Sequence, residues 1–300
     1  MKKILVTGAN GLLGQALIRI LSPQYQILAT GNQPQFSLTD SPVRYQQLDL
    51  TQAQECKHAI KKFQPDIIIN AGAYTDVDGC ESRREKCWQV NVRGVENLCA
   101  AARVINARII QLSTDYLFDG QAGPYDEQAL PEPLCYYAKS KLASENVLHE
   151  SGEHHAIVRT SVVYGIGKNL KNNFFMWLYQ QFKAGKPVRI VTDQYNTPTW
   201  VDDLAAGIKL VIAKNARGIY NISGPDYLSR LEYAMLLAKI FKFDDARISA
   251  IRTAELHQAA KRPLNAGLKI NKARNELGYQ PHATAAVFKI LRRRYAYPED

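Results

Sequence analysis

A chain of 300 residues, 46% hydrophobic and 22% charged, has the makeup of a folded globular protein and room for one large α/β unit or two interleaved domains. No apolar run approaches the roughly 18 residues that span a bilayer, and the opening MKKILVTGANG breaks at Gly8 without a signal peptide's long apolar segment, so the protein is read as cytoplasmic with no membrane partner. A net charge of +10 invites nucleic acid, yet the densest cluster, Arg292-Arg293-Arg294, comes with no nucleic-acid motif and reads as a solvated helix face; the surplus suits small polyanions such as dinucleotides and nucleotide sugars instead.

Taken in chain order, the first half alternates short apolar runs with helical spacing, the pattern of a parallel sheet covered on both faces. Lys3–Thr7 is a first strand, and helical spacing through Leu13, Leu17 and Leu21 follows from Gly11. A second strand covers Gln26–Thr30, and Tyr45–Leu50 leads out of a third. A helix over about Gln52–Phe63 precedes Asp66–Asn70, a run apolar on both faces and therefore central. One long helical stretch from about Ser82 to Asn106 leads to strand Arg108–Ser113. After a loop rich in glycine and proline come a helix over about Tyr136–His149 and strand Ala156–Thr160.

Beyond Tyr164 the rhythm loosens, with breaks at Gly185-Lys186-Pro187, Thr197-Pro198-Thr199, Gly224-Pro225 and Arg262-Pro263. The reading is a Rossmann-type doubly wound parallel sheet over residues 1–165, to which the chain returns around 198–224. Residues 166–300 form mainly a smaller, partly interleaved α/β substrate domain. Five cysteines in no CxxC spacing read as reduced thiols, and neither they nor the six histidines mark a metal site. His154-His155 reads as a strand edge.

Gly8-Ala9-Asn10-Gly11-Leu12-Leu13-Gly14 joins the first strand to the first helix. Gly8 allows a sharp turn, Gly11 lets the backbone approach a pyrophosphate, and Gly14 permits close helix–sheet packing. The helix N-terminus adds free N–H groups and partial positive charge for the phosphates. Gly8, Asn10, Gly11, Leu12, Leu13 and Gly14 are thus candidate dinucleotide contacts. The second strand ends in Thr30-Gly31-Asn32-Gln33, with no carboxylate to repel a ribose 2′-phosphate and no arginine to hold one. That leans toward NADP(H) over NAD(H).

Ser113-Thr114-Asp115-Tyr116 lies at the end of a central strand, where open α/β sheets take ligands. Tyr137 and Lys141 sit four apart, on one face of a helix. Tyrosine has an ordinary pKa of about 10, and a nearby ammonium is expected to lower it. Tyr137 could then give a proton to a carbonyl oxygen as hydride arrives from a nicotinamide. Thr114 would hold the same oxygen, and Lys141 the nicotinamide ribose. Tyr136 is offset by four from Ser140, which carries no charge.

Together these segments resemble the extended short-chain dehydrogenase/reductases, and within them the dTDP-4-dehydrorhamnose reductase family. The resemblance rests also on Asn70 to Asp78, Ser113 to Gly120, Tyr137 to Glu145, Arg159-Thr160-Ser161, Val163-Tyr164-Gly165, Asn173-Phe174, Asp193-Gln194, Pro198-Thr199 and Arg262-Pro263. It implies Thr114, Tyr137 and Lys141 as the catalytic trio and Ala71, Gly72 and Ala73 along the cofactor. It places Asp49 and Leu50 near the adenine, and Thr114, Asp115, Val162 and Asn173 toward a sugar nucleotide. The implied reaction reduces the C4 ketone of a dTDP-linked 6-deoxy-4-ketosugar, giving dTDP-L-rhamnose in the namesake case. A homodimer, and in some members a divalent metal, go with the resemblance.

This chain departs from the family pattern mostly in its second half. Val162 stands where tryptophan is common and could cover a sugar or base face. Cys135 replaces an asparagine, Ala138 a glycine and Asn196 a glycine. Arg230-Leu231 replaces a frequent aromatic pair. Two other readings stay open at this point: an epimerase or dehydratase of the same superfamily, with Asp115 as its acidic residue, and a non-catalytic nucleotide-binding subunit.

Overall fold

In the computed structural model, which describes residues 1–152, 154–170 and 173–296, seven strands pair into one parallel sheet, mainly apolar except at the edge strand Arg44–Gln47. The strands are β1 (Lys3–Thr7), β2 (Gln26–Gly31), β3 (Arg44–Gln47), β4 (Ile67–Asn70), β5 (Arg108–Thr114), β6 (His155–Thr160) and β7 (Gly218–Asn221). Their order is β7-β6-β5-β4-β1-β2-β3, every neighbouring pair parallel. The chain winds outward from β1 to β3, then returns to β4 on the other side of β1. The crevice beyond the C-terminal ends of β1 and β4 is therefore the switch point at which such sheets bind ligands.

The main helices are α1 (Leu12–Leu21), α2 (Ala53–Phe63), α3 (Gly94–Ile105), α4 (Tyr136–Ser151), α5 (Phe174–Lys183), α6 (Val201–Ala213), α7 (Arg230–Phe241) and α8 (Thr284–Ala296). Strand side chains alternate between faces. Ile4, Val6, Ile27, Ala29, Ile67 and Ile69 join the core under α1 and α6, while Leu5, Leu28 and Ile68 join the core under α2 and α3. α1 packs directly on α6, and α2 on α3.

After β6 the elements shorten. Val163–Tyr164 pairs with Thr199–Trp200, Tyr195–Asn196 with Leu228–Ser229, and Val188–Val191 with Ile248–Ile251. Stacked and edge-on rings hold α5, α7 and α8 together: Tyr164 meets Tyr233 at 5.5 Å, and Tyr233 meets Phe288 at 4.9 Å. Each such pair adds roughly 0.5–1.5 kcal/mol beyond its buried area. Among the described residues no helix is long and apolar enough to cross a membrane.

Two details refine the expectations from the sequence. The third strand ends at Gln47, because Asp49 turns the chain: its carboxylate accepts from both the N–H and the hydroxyl of Thr51 at 2.9 Å. The helical stretch expected from about Ser82 to Asn106 runs unbroken from Arg84 to Ile105, with a π-helical turn at Gln89–Arg93 joining Arg84–Trp88 to α3. A side chain at Gly94 would stand 3.0 Å from Leu50 Cβ. The extra residue of the π turn also re-aims Asn91 inward, a use typical of such turns near functional sites.

Candidate active site

The loop between β1 and α1 is shaped by what cannot fit there. A Cβ on Gly8, whose φ is +64°, would meet Ala71 O at 2.7 Å; on Gly14 it would meet Gly8 O at 2.2 Å. Gly11 N–H donates to Gly8 O at 2.9 Å. α1 begins after Gly11 with no side-chain cap and no acidic residue in its first turn. The N–H groups of Leu12, Leu13 and Gly14 are thus left for an anion. A dinucleotide pyrophosphate fits this cradle: backbone room on one side, uncapped helix end on the other.

The Asn10 side chain bridges two segments. Its amide donates to Gln33 Oε1 at 3.0 Å and Gln35 O at 2.8 Å, and its oxygen accepts from Ser37 N at 2.8 Å. It ties the segment after β2 to the glycine loop, while the Tyr45 hydroxyl donates to Gln33 O at 2.5 Å. Ala71, Gly72 and Ala73 follow β4 directly across from Gly8, and Gly72 N–H donates to the Thr7 hydroxyl at 3.1 Å. Leu50 lies beneath Gly72 and is buried. The Asp49 carboxylate is engaged by Thr51.

From the loop a buried polar chain runs across the strand ends to the reacting group. Thr7 donates to Asn70 Oδ1 at 2.5 Å, Asn70 to Gln111 Oε1 at 2.8 Å, and Gln111 to Leu112 O at 2.9 Å. The same Leu112 oxygen accepts from Lys141 Nζ at 2.7 Å. Burial pulls the Lys141 ammonium down to about 8, with Glu145 opposing. Glu145 is itself held by the Arg159 guanidinium at 2.7 and 3.1 Å, both side chains almost wholly buried. Tyr137, Lys141 and Glu145 thus form one stripe along α4, each four residues from the next.

Tyr137 and Thr114 come together where β5 ends against the start of α4. Burial raises the phenol above its ordinary range, Tyr116 and Asp115 add to the rise, and a hydrogen bond with Thr114 opposes it. The expectation that an ammonium lowers this pKa is therefore corrected: desolvation dominates, and Lys141 directs its charge at the Leu112 carbonyl. Tyr116 packs edge-on to Tyr137 at 6.0 Å. Asn91, from the π turn, pins the neighbourhood by donating to Ser140 Oγ at 2.9 Å and Tyr74 O at 3.1 Å.

The expected substrate residues divide. Asp115 is buried beside Thr114 and accepts from Ser161 Oγ at 2.6 Å and Gly267 N at 3.3 Å; burial raises its pKa, with those donors opposing. Asn173 caps α5, accepting from Met176 N at 3.1 Å and donating to Gly165 O at 2.8 Å, so its amide is already engaged. Val162 has φ +39°, a strained setting for a β-branched residue. Sequence reading missed Tyr116, Asn91, Arg262 and the Glu145–Arg159 pair. For Glu145 the four-residue spacing from Lys141 was the available signal. Among the described residues no three His, Cys, Asp or Glu side chains converge to hold a metal, and all five cysteines are buried free thiols.

A parallel sheet with this strand order, a glycine loop at its switch point and a Thr–Tyr–Lys grouping at the end of β5 define an oxidoreductase of the extended short-chain dehydrogenase/reductase class. A family model described as the RmlD substrate binding domain matches residues 1–295, and the chain belongs to that family, the dTDP-4-dehydrorhamnose reductase family. It is 33% identical to a dTDP-4-dehydrorhamnose reductase of Aggregatibacter actinomycetemcomitans, covering 100% of both chains. It is 31% identical to methionine adenosyltransferase 2 subunit beta of Xenopus laevis, over 90% of this chain and 81% of that protein. The solved structure of dTDP-4-dehydrorhamnose reductase from Bacillus anthracis in complex with NADP superposes with a TM-score of 0.86 at 29% identity, covering 100% of both chains.

Proposed function

We propose that this protein reduces the C4 ketone of a nucleotide-linked 6-deoxy-4-ketosugar, with dTDP-4-dehydro-L-rhamnose as the leading substrate and dTDP-L-rhamnose as its product. The observation that carries the reading is the buried Tyr137 at the start of α4, in hydrogen-bonding reach of Thr114 at the end of β5 and one helical turn before the buried Lys141. Residues 1–165, with the return through 198–224, take the dinucleotide, and the remainder faces the sugar nucleotide.

A bound reduced nicotinamide supplies the hydride. Tyr137 donates its phenolic proton to the ketone oxygen, and its raised pKa keeps that proton in place at neutral pH. The Thr114 hydroxyl fixes the same oxygen. Lys141, anchored on Leu112 O, would hold the nicotinamide ribose. Gly8, Gly11 and Gly14 admit the pyrophosphate, and the uncapped start of α1 binds it. The segment after β2 offers Asn32 and Gln33 rather than a carboxylate to the adenosine ribose, which supports NADP(H) over NAD(H).

A dehydratase role has less support, because Asp115 Oδ2 accepts from Ser161 and Gly267 and Oδ1 accepts from Thr114 at 3.3 Å. The similarity to a methionine adenosyltransferase subunit motivates a second reading, a dinucleotide-binding subunit without turnover. Incubation with enzymatically generated dTDP-4-keto-L-rhamnose and either NADPH or NADH separates these readings. Stoichiometric loss of reduced-cofactor absorbance with a dTDP-6-deoxyhexose product supports the reductase. Cofactor binding without oxidation on this or related ketosugars contradicts it.

A further inference from the structure

Three polar side chains stand in a row across the middle of the sheet. Thr7, Asn70 and Gln111 are register partners on β1, β4 and β5, and each is 1% exposed. Two residues earlier on the same strands stand Leu5, Ile68 and Ile109, all part of one apolar core. Burying a polar row in a parallel sheet costs desolvation that apolar side chains avoid, so packing alone does not account for it. None of the three has an unpaired side-chain oxygen or nitrogen.

The sense of this chain is fixed by its ends. The Gly72 N–H can only donate, and it donates to Thr7 Oγ1 at 3.1 Å. The Thr7 proton therefore goes to Asn70 Oδ1, which turns Asn70 Nδ2 toward Gln111 Oε1. Gln111 Nε2 is then left for Leu112 O, an atom that can only accept. Hydrogen bonds aligned in one direction in a dry interior reinforce one another. The pairing of β4 with β5 stops at Asn70 and Gln111, while β5 runs on to Thr114. Gln111 and Lys141 take the Leu112 oxygen between them, at 2.9 and 2.7 Å. Among the described residues that oxygen is the one hydrogen-bond acceptor of the Lys141 ammonium, since Glu145 is clasped by Arg159.

We propose that Gln111 is a positioning residue for Lys141: with Asn70 and Thr7 it braces the Leu112 carbonyl, on which the ammonium rests, against the cofactor wall at Gly72. The brace fixes the spacing between that wall and the ammonium, so a change at Thr7 is felt at Lys141 two strands away. Its members touch neither cofactor nor sugar and act only through the groups they hold. The brace deepens the ketosugar-reductase reading and rests on it for turnover, but not for the placement of Lys141.

The test uses four variants of the full chain. Gln111→Met keeps the length of the side chain and removes its amide. Thr7→Val breaks the chain at its far end, and Thr7→Ser restores the hydroxyl. Lys141 is read directly by NMR of protein carrying carbon-13 at lysine Cε, its signal assigned by its loss in Lys141→Met, beside the melting temperature of each protein. The expected result is that the Lys141 signal moves in Gln111→Met and in Thr7→Val and returns to its wild-type position in Thr7→Ser. With dTDP-4-keto-L-rhamnose and NADPH, kcat should fall about tenfold or more in Gln111→Met while KM for the sugar stays within about twofold. A Lys141 signal unmoved in folded Gln111→Met and Thr7→Val overturns the brace. If Gln111→Met does not fold, the two Thr7 variants decide alone. If Lys141 moves as expected but wild type does not turn over the ketosugar, the brace stands and the reductase reading falls. If wild type turns over and Lys141 is blind to both substitutions, the reductase stands and the brace falls.

Discussion

At the glycine loop the backbone makes the site: Gly8 and Gly14 leave space, and the first turn of α1 leaves N–H groups uncapped. At Tyr137 the side chains make it, through buried Thr114, Lys141, Glu145 and Arg159 that hold one another across β5, α4 and β6. The first region is shaped by backbone room and an uncapped helix end, and says little about what is reduced. The second sets proton affinity by burial and pairing, so its chemistry depends on neighbours far away in sequence. Asn70 and Gln111 connect the two, which makes the strand ends one polar unit rather than two adjoining sites.

The sharpest way to separate the regions is Tyr137→Phe. Turnover should fall by about 10²–10⁴, while NADPH affinity, set at the glycine loop, stays close to wild type. Next in size is Glu145→Gln, which leaves Arg159 buried without its carboxylate. Unfolding free energy should drop by roughly 3–5 kcal/mol, and a drop below about 1 kcal/mol in a urea titration would place the pair among weak surface bridges. Gly14→Ala attacks the other region: the new methyl meets Gly8 O, and a loss of about 1–3 kcal/mol should come with loss of dinucleotide binding measured by fluorescence quenching.

The pH dependence sharpens the comparison further. Lys141 has its ammonium depressed to about 8 by burial, from an ordinary 10.5. Between those values the unfolded chain binds the extra proton, so this group makes stability rise with pH from about 8 to 10.5. Turnover should fall as pH passes through about 8, where the folded protein loses that ammonium. Lys141→Met should flatten the stability slope in that window, seen in melting temperatures across pH. The smallest effect concerns Val162. Glycine at its positive φ relieves strain, so Val162→Gly should change stability by no more than about 1 kcal/mol, in the stabilising direction.

Much of this is legible in the sequence. The β1–α1 loop showed itself through glycine spacing, and the sheet strands through apolar runs such as Ile67–Ile69, because both signals are local. The Tyr137–Lys141 pair was legible from helical spacing. What was hidden depends on tertiary contact: burial that raises the phenol rather than lowering it, Asn91 re-aimed by a π turn, and Asn173 spent on capping α5. Nothing within a few residues of Arg262 announces that it meets Asp78, and no period in the sequence marks Asp49 as the residue that ends β3.

The measurement that bears most directly on the central claim is a single turnover with NADPH deuterated at the transferable position and dTDP-4-keto-L-rhamnose, read by mass spectrometry and NMR. The account predicts deuterium at C4 of the sugar product, one cofactor oxidised per sugar, and no product with Tyr137→Phe on the same time scale. Sugar converted without net cofactor oxidation, or equal label transfer in the Phe variant, would contradict it.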